Sequence, residues 1–162
     1  AATREYVLNI DNDQAPILSV YGGKITTHRK LAEEALDKLS LSNSSENWTH
    51  TAPLPGGEFD IEKILSIKDE LIKTYPFANI NWLNTLFKRY GVNVRAVLGD
   101  AKSYEDLGHH FSGGLYQVEV KYLIENEFAK TAEDILWRRT KIGLKIDKVA
   151  EKKLKSFLKK EE

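Results

Sequence analysis

Two hydrophobic periods divide the 162 residues of this chain. In residues 4–10, REYVLNI, apolar and polar positions alternate, and PILSVY from Pro16 does the same after the turn-forming DNDQA. Period two carried by β-formers predicts two strands, an arrangement that is marginal in water without further partners. Residues 24–39 change to a helical period, with Leu31, Ala32, Ala35, Leu36 and Leu39 on one face. Residues 40–57, SLSNSSENWTHTAPLPGG, are rich in Ser, Asn, Pro and Gly and read as a linker.

After the linker the helical period persists. Ile61, Ile64, Leu65, Leu71 and Ile72 predict one amphipathic helix, and Trp82, Leu83, Leu86 and Phe87 predict a second that closes near Gly91. Residues 94–98 form a short helical turn before Gly99, and in the stretch from Leu115 the side chains of Val118, Tyr122 and Leu123 share a face. Thr131 and Asp134 have the spacing of a capping box, in which the hydroxyl takes an early N–H and the carboxylate reaches back. A last, Lys-rich helix is expected over residues 147–160. The fold class is therefore mainly α, with a bundle of four to six helices over 58–162 preceded by two strands and a helix over 1–39.

Charge narrows the partners. The 24 Lys and Arg balance the 24 Asp and Glu, so no global field favours nucleic acid or an anionic membrane. The chain has no cysteine, which removes disulfides and thiolate metal sites and makes a reducing cytoplasm the expected compartment. No apolar run approaches the roughly 20 residues of a membrane span. The absence of methionine and the Ala-Ala start lead us to expect a processed product or a piece of a longer protein.

The strongest candidate chemistry lies in LSVYGGKITTHRKL, residues 18–31, where a strand passes through Gly22, Gly23 and Lys24 into a helix. A helix start favours anions through its free N–H groups and its dipole. This one carries His28, Arg29 and Lys30 where most helices carry acids, so its positive end looks uncompensated. The glycines let a ligand oxygen approach the backbone, and Lys24 adds a point charge. The same residues equally suit a tight turn with solvated basic groups. A phosphate loop is excluded, because Leu18 stands where glycine is needed and Ile25 where a hydroxyl is needed, and there is no G-x-G-x-x-G fingerprint.

Other candidates read as structural. His109 and His110 are adjacent, which is not the i, i+4 spacing of helical metal ligands, and Asp11 with Asp13 lacks the remainder of a calcium loop. No metal is expected. Asn43-Ser-Ser45 and Asn47-Trp-Thr49 match the glycosylation pattern only as exposed linker. Arg138 and Arg139, with the Lys-rich tail, offer an alternative function as a helical interaction or nucleic-acid-binding module, although Asp134 four residues before Arg138 predicts an ordinary ion pair.

LSVYGGKITTHRKLAEEALDKL resembles the segment that closes the flavin domain of FAD-dependent glycerol-3-phosphate dehydrogenases. GLYQVEVKYLIENEFAKTAEDILWRRTKIGL is similar to the signature of their C-terminal helical domain, and LPGGEFD and YGVNVRAVLGDA fall between the two in family order. The resemblance covers residues 3 to about 147. It implies that residues 1–39 are the C-terminal edge of an FAD domain of the glutathione-reductase type, with the rest of that domain as the missing N-terminal partner.

The resemblance further implies oxidation of sn-glycerol 3-phosphate to dihydroxyacetone phosphate, with electrons passing through FAD to quinone at the cytoplasmic membrane, where the parent is peripheral. An oxygen-using oxidase is the alternative within the family. Gly23, Lys24, Ile25 and Thr26 then face the pyrimidine edge of the flavin. Lys24, the candidate catalytic residue, serves either the reduced flavin or the substrate oxygens. His28 departs from the tyrosine of the family pattern. Without the dinucleotide fingerprint the chain alone is expected to hold no FAD and to be inactive. Its strands, deprived of their sheet, are expected to pair with a second copy by strand exchange, giving a homodimer, or to fold back on the bundle.

Overall fold

The computed structural model describes residues 5–41 and 48–161. The chain forms two compact units, Ala1–Ala52 and Pro53–Glu162. Residues 42–47, which hold both glycosylation asparagines, lie outside the described residues.

In the first unit β1, Val7–Asp11, and β2, Ile17–Tyr21, pair with each other as an antiparallel hairpin with Val7 opposite Tyr21 and Asp11 opposite Ile17. Asp11 tightens the connection by accepting the Asp13 N–H at 2.9 Å. A 3-10 turn, Ile25–Thr27, leads into α1, His28–Lys38. Of the predicted α1 face, Leu31, Ala35 and Leu39 are half-buried, while Ala32 and Leu36 are exposed. Among the described residues none of the core side chains belongs to this unit, where Val7, Ile17, Val20 and Tyr21 also stand exposed.

The second unit holds the core. Its helices are α2, Ile64–Thr74; α3, Ile80–Tyr90; α4, Val94–Leu98; α5, Gln117–Glu127; and α6, Lys148–Glu161; with a π-helical segment, Asp134–Arg139, before the last. Leu71, Leu86, Val94, Leu107, Phe111, Leu115, Leu123, Ile135 and Leu154 are each no more than 2% exposed and pack as one cluster. Each such large side chain contributes about 1.5–3 kcal/mol by leaving water. The structure corrects the expected α2 face. Ile61 lies in the preceding 3-10 turn and, like Leu65, is exposed, while Ile67 and Leu71 are buried. The buried positions follow i, i+4 from Ile67, a stripe that also takes in Tyr75 beyond the helix end.

Helix ends are fixed by local chemistry. The Asn79 side chain accepts the N–H groups of Asn81 and Trp82 at 2.9 and 3.3 Å and starts α3. The expected capping box forms: Thr131 Oγ1 accepts the Asp134 N–H at 3.1 Å, and the Asp134 carboxylate takes the Thr131 N–H at 2.9 Å. Replacing Thr131 with alanine is expected to cost about 1 kcal/mol, read as a lower urea midpoint at unchanged slope. The π segment ends where the Thr140 N–H and hydroxyl both donate to the Ile135 carbonyl, five residues back, at 3.1 and 2.6 Å.

Candidate functional site

The chain leaves β2 at Tyr21 and reverses through Gly22 and Gly23, both at positive φ, 77° and 110°. A Cβ at Gly22 would stand 3.2 Å from the Glu5 carbonyl oxygen, and one at Gly23 would stand 3.5 Å from Tyr6 Cβ. Since the 3.5 Å at Gly23 is ordinary contact, it is the positive φ of both glycines and the close approach at Gly22 that give the pair a reason inside its own unit. Its presence is not by itself a mark of a ligand.

Lys24 is extended, and its carbonyl accepts both the N–H of Thr27, at 3.0 Å, and the Thr27 hydroxyl, at 2.9 Å. His28 Nδ1 lies 2.6 Å from the Ile25 carbonyl; since that oxygen can only accept, Nδ1 carries the proton. No side chain caps the 3-10 turn or α1, and neither has an acid in its first turn. Gly23, Lys24, Ile25 and Thr26 are all exposed, Ile25 at 85%.

The view of a wholly uncompensated basic turn needs correction. Arg29 pairs with Glu33 at 3.0 Å and also donates to the Thr49 hydroxyl, which itself donates to Glu33. Lys30 lies 4.0 Å from Glu34. Acids one turn further on thus hold the two cations, a spacing that helices favour. What stays open is the run of N–H groups at the helix start and Lys24, which forms no ion pair among the described residues. That donor set, N–H groups plus an ammonium with no carboxylate in the first turn, favours negative charge.

The remaining candidates resolve into packing. His110 stacks on Tyr116 at 4.5 Å and His109 meets the Phe111 ring edge-on at 4.7 Å, and no group among the described residues could hold a metal. Arg138 is bound by Glu133 at 2.9 Å and Asp134 at 3.2 Å. Arg139 donates to the Glu127 carbonyl at 3.0 Å. These guanidinium groups are already occupied, which weakens the nucleic-acid alternative. The most unusual polar group was not picked out by spacing: Glu119, on α5, is 1% exposed and bonds Arg89 and the Tyr90 hydroxyl from α3. Its one signal is a carboxylate between Val118 and Val120 in an apolar stretch.

Residues 47–158 match the family described as the C-terminal domain of alpha-glycerophosphate oxidase, and the chain belongs to that family. It is 41% identical to a glycerol-3-phosphate dehydrogenase of Pseudomonas aeruginosa, over 99% of this chain and 32% of that protein. It is 43% identical to a D-erythritol 1-phosphate dehydrogenase of Brucella abortus, over 87% of this chain and 29% of the relative. It is 41% identical to the aerobic glycerol-3-phosphate dehydrogenase of Escherichia coli, over 89% of this chain and 29% of the relative. The chain thus spans about a third of the length of these relatives.

Proposed function

We propose that the chain serves as the C-terminal part of an FAD-dependent dehydrogenase that oxidises sn-glycerol 3-phosphate to dihydroxyacetone phosphate and delivers the electrons to quinone. The observation that carries this is the 41% identity to the Pseudomonas aeruginosa glycerol-3-phosphate dehydrogenase across nearly every residue of the chain. The comparable identity to a D-erythritol 1-phosphate dehydrogenase indicates that this stretch does not discriminate between polyol phosphates. Choice of substrate belongs to the rest of the enzyme.

FAD, when bound, supplies acceptance of a hydride from the substrate carbinol carbon and release of two electrons to the acceptor. The role of this chain is electrostatic. The N–H groups opening the turn at Ile25 and Thr26, the dipole of α1 behind them and the Lys24 ammonium stabilise negative charge on the flavin edge without reorganising. Gly23 holds the turn that presents them. The exposed side chains of Val7, Ile17 and Val20 are covered in the full enzyme by the remainder of its FAD domain. Among the described residues no helix is long and apolar enough to cross a membrane.

The test uses the full-length enzyme. sn-Glycerol 3-phosphate is expected to bleach the flavin absorbance and support reduction of a soluble quinone. Lys24→Glu should lower the flavin midpoint potential and slow that bleaching on the order of 100-fold. Bleaching by D-erythritol 1-phosphate alone would keep the enzyme class and remove the named substrate. An unmoved potential and rate in Lys24→Glu would remove Lys24 from the site.

A further inference from the structure

One face of α6 is built differently from its others. Val149, Lys152, Lys153, Phe157 and Lys160 recur at i, i+3, i+4, i+8 and i+11, a single stripe of the helix. That stripe forms one wall of a groove of about 520 Å³, whose other wall carries His109 and Phe111. The size falls within the ~300–1,000 Å³ range of small-ligand clefts.

The groove has an apolar floor and a cationic rim. Phe111 is 1% exposed and meets the half-buried Phe157 ring edge-to-face at 5.4 Å, while Val149 is 63% exposed at the lip. Among the described residues no acid lines the groove, and Lys152, Lys153 and Lys160 form no ion pair. Lys155, off this stripe, is held by Glu151 at 2.6 Å. Lys148 and Lys159, also off the stripe, form no ion pair among the described residues, so what marks the groove is that three such lysines stand beside apolar side chains. Their stems can lie along apolar surface while the ammonium groups stay in water.

We propose that this groove is a binding site for a single-chain anionic amphiphile, an alkyl chain ending in a phosphate or carboxylate. The chain lies over Phe157 and Val149, and the head is held by Lys152, Lys153 and Lys160 through charge-assisted hydrogen bonds. An alkyl chain matches the Phe157 and Val149 surface and an anionic head matches the lysines beside it, with no acid among the described lining residues to repel it. The same lining selects against an acidic peptide, whose backbone amides would need partners that an apolar floor does not supply.

The test is calorimetric titration of the full 162-residue chain with dodecyl phosphate kept below its micelle concentration. Saturable one-to-one binding is expected, at least tenfold tighter than binding of inorganic phosphate, 1-dodecanol or hexaglutamate. The Lys152→Glu/Lys153→Glu double variant and, separately, Val149→Asp should each weaken it at least tenfold while keeping the parent's circular dichroism and melting temperature, since all three positions are exposed. Equal binding of inorganic phosphate or hexaglutamate would overturn the proposal. So would undiminished binding in both variants, or attachment to phosphatidylglycerol vesicles with none to the monomeric amphiphile.

Discussion

Replacing Arg89 with alanine is expected to remove about 3–5 kcal/mol of stability from the helical unit, because it strands a buried carboxylate without its counter-charge. Glu119 is 1% exposed and the Arg89 side chain 16% exposed. Glu119 Oε1 takes the Arg89 guanidinium and the Tyr90 hydroxyl, the latter at 2.7 Å, while Oε2 has no hydrogen-bond partner among the described residues. A second guanidinium nitrogen of Arg89 reaches the Thr140 carbonyl at 3.4 Å. Losing Arg89 therefore loosens α3, α5 and the end of the π segment together. Adding Glu119→Gln to the Arg89→Ala background should restore part of the loss in urea unfolding. A loss below about 1 kcal/mol would instead class the pair with exposed ion pairs.

The same carboxylate gives a pH signature. Burial pushes Glu119 above its ordinary value of 4.5, against the pull of the Arg89 guanidinium and the Tyr90 hydroxyl. The folded chain then keeps the Glu119 proton to higher pH than the unfolded chain does. Its contribution is complete below 4.5 and declines as pH rises through the folded value. The Glu119→Gln variant should lack this decline, so stability measured from pH 4.5 upward should shift in its favour relative to the parent. Asp106 and Asp134 act in the opposite sense. The Lys102 N–H and the Thr131 hydroxyl, respectively, lead the groups that hold them below 3.8. What they contribute is present above that value and is lost as pH falls through their lower folded values.

The second large effect is expected at Gly91. Its φ is 56°, and a Cβ there would stand 1.8 Å from the Gly56 carbonyl oxygen, the acceptor of the Val92 N–H at 3.0 Å. Gly56 meets the same wall from the other side, with its own Cβ position 2.1 Å from the Tyr90 carbonyl oxygen. Two backbones touch here with no room for a methyl group. Gly91→Ala should cost on the order of 3 kcal/mol through forced separation and left-handed strain. Gly99→Ala is the control, since φ there is similarly 53° but nothing lies within 4 Å. Similar losses for the two variants would show that strain alone, and not the close approach, sets the effect.

Most of the helices were legible because their periods are long and their ends are marked. Asn79, Gly91, Gly99 and the Thr131–Asp134 pair all act where local chemistry places them. What escaped depends on residues far apart in sequence. The Arg89–Glu119 bond joins positions 30 apart, and periodicity cannot foresee a carboxylate turned inward. Ile61 and Leu65 have the right hydrophobicity and the wrong azimuth, because a 3-10 turn precedes α2 and the stripe follows Ile67 instead. At the helix start near Lys24 the sequence displayed the donors plainly. It did not display that Gly22 already answers to Glu5, or that Arg29 and Lys30 find acids one turn on.

The widened turn at Asp134–Arg139 makes chain length matter more than side-chain identity along that stretch. A π turn accommodates one residue beyond the α repeat, so every side chain after it is rotated by about 100° from where an uninterrupted helix would put it. Loss of a single residue there would not merely shorten the segment. It would re-phase it, carrying Arg139 away from the Glu127 carbonyl and Thr140 out of its buried bond to Ile135, so that this stretch accepts many replacements but few deletions.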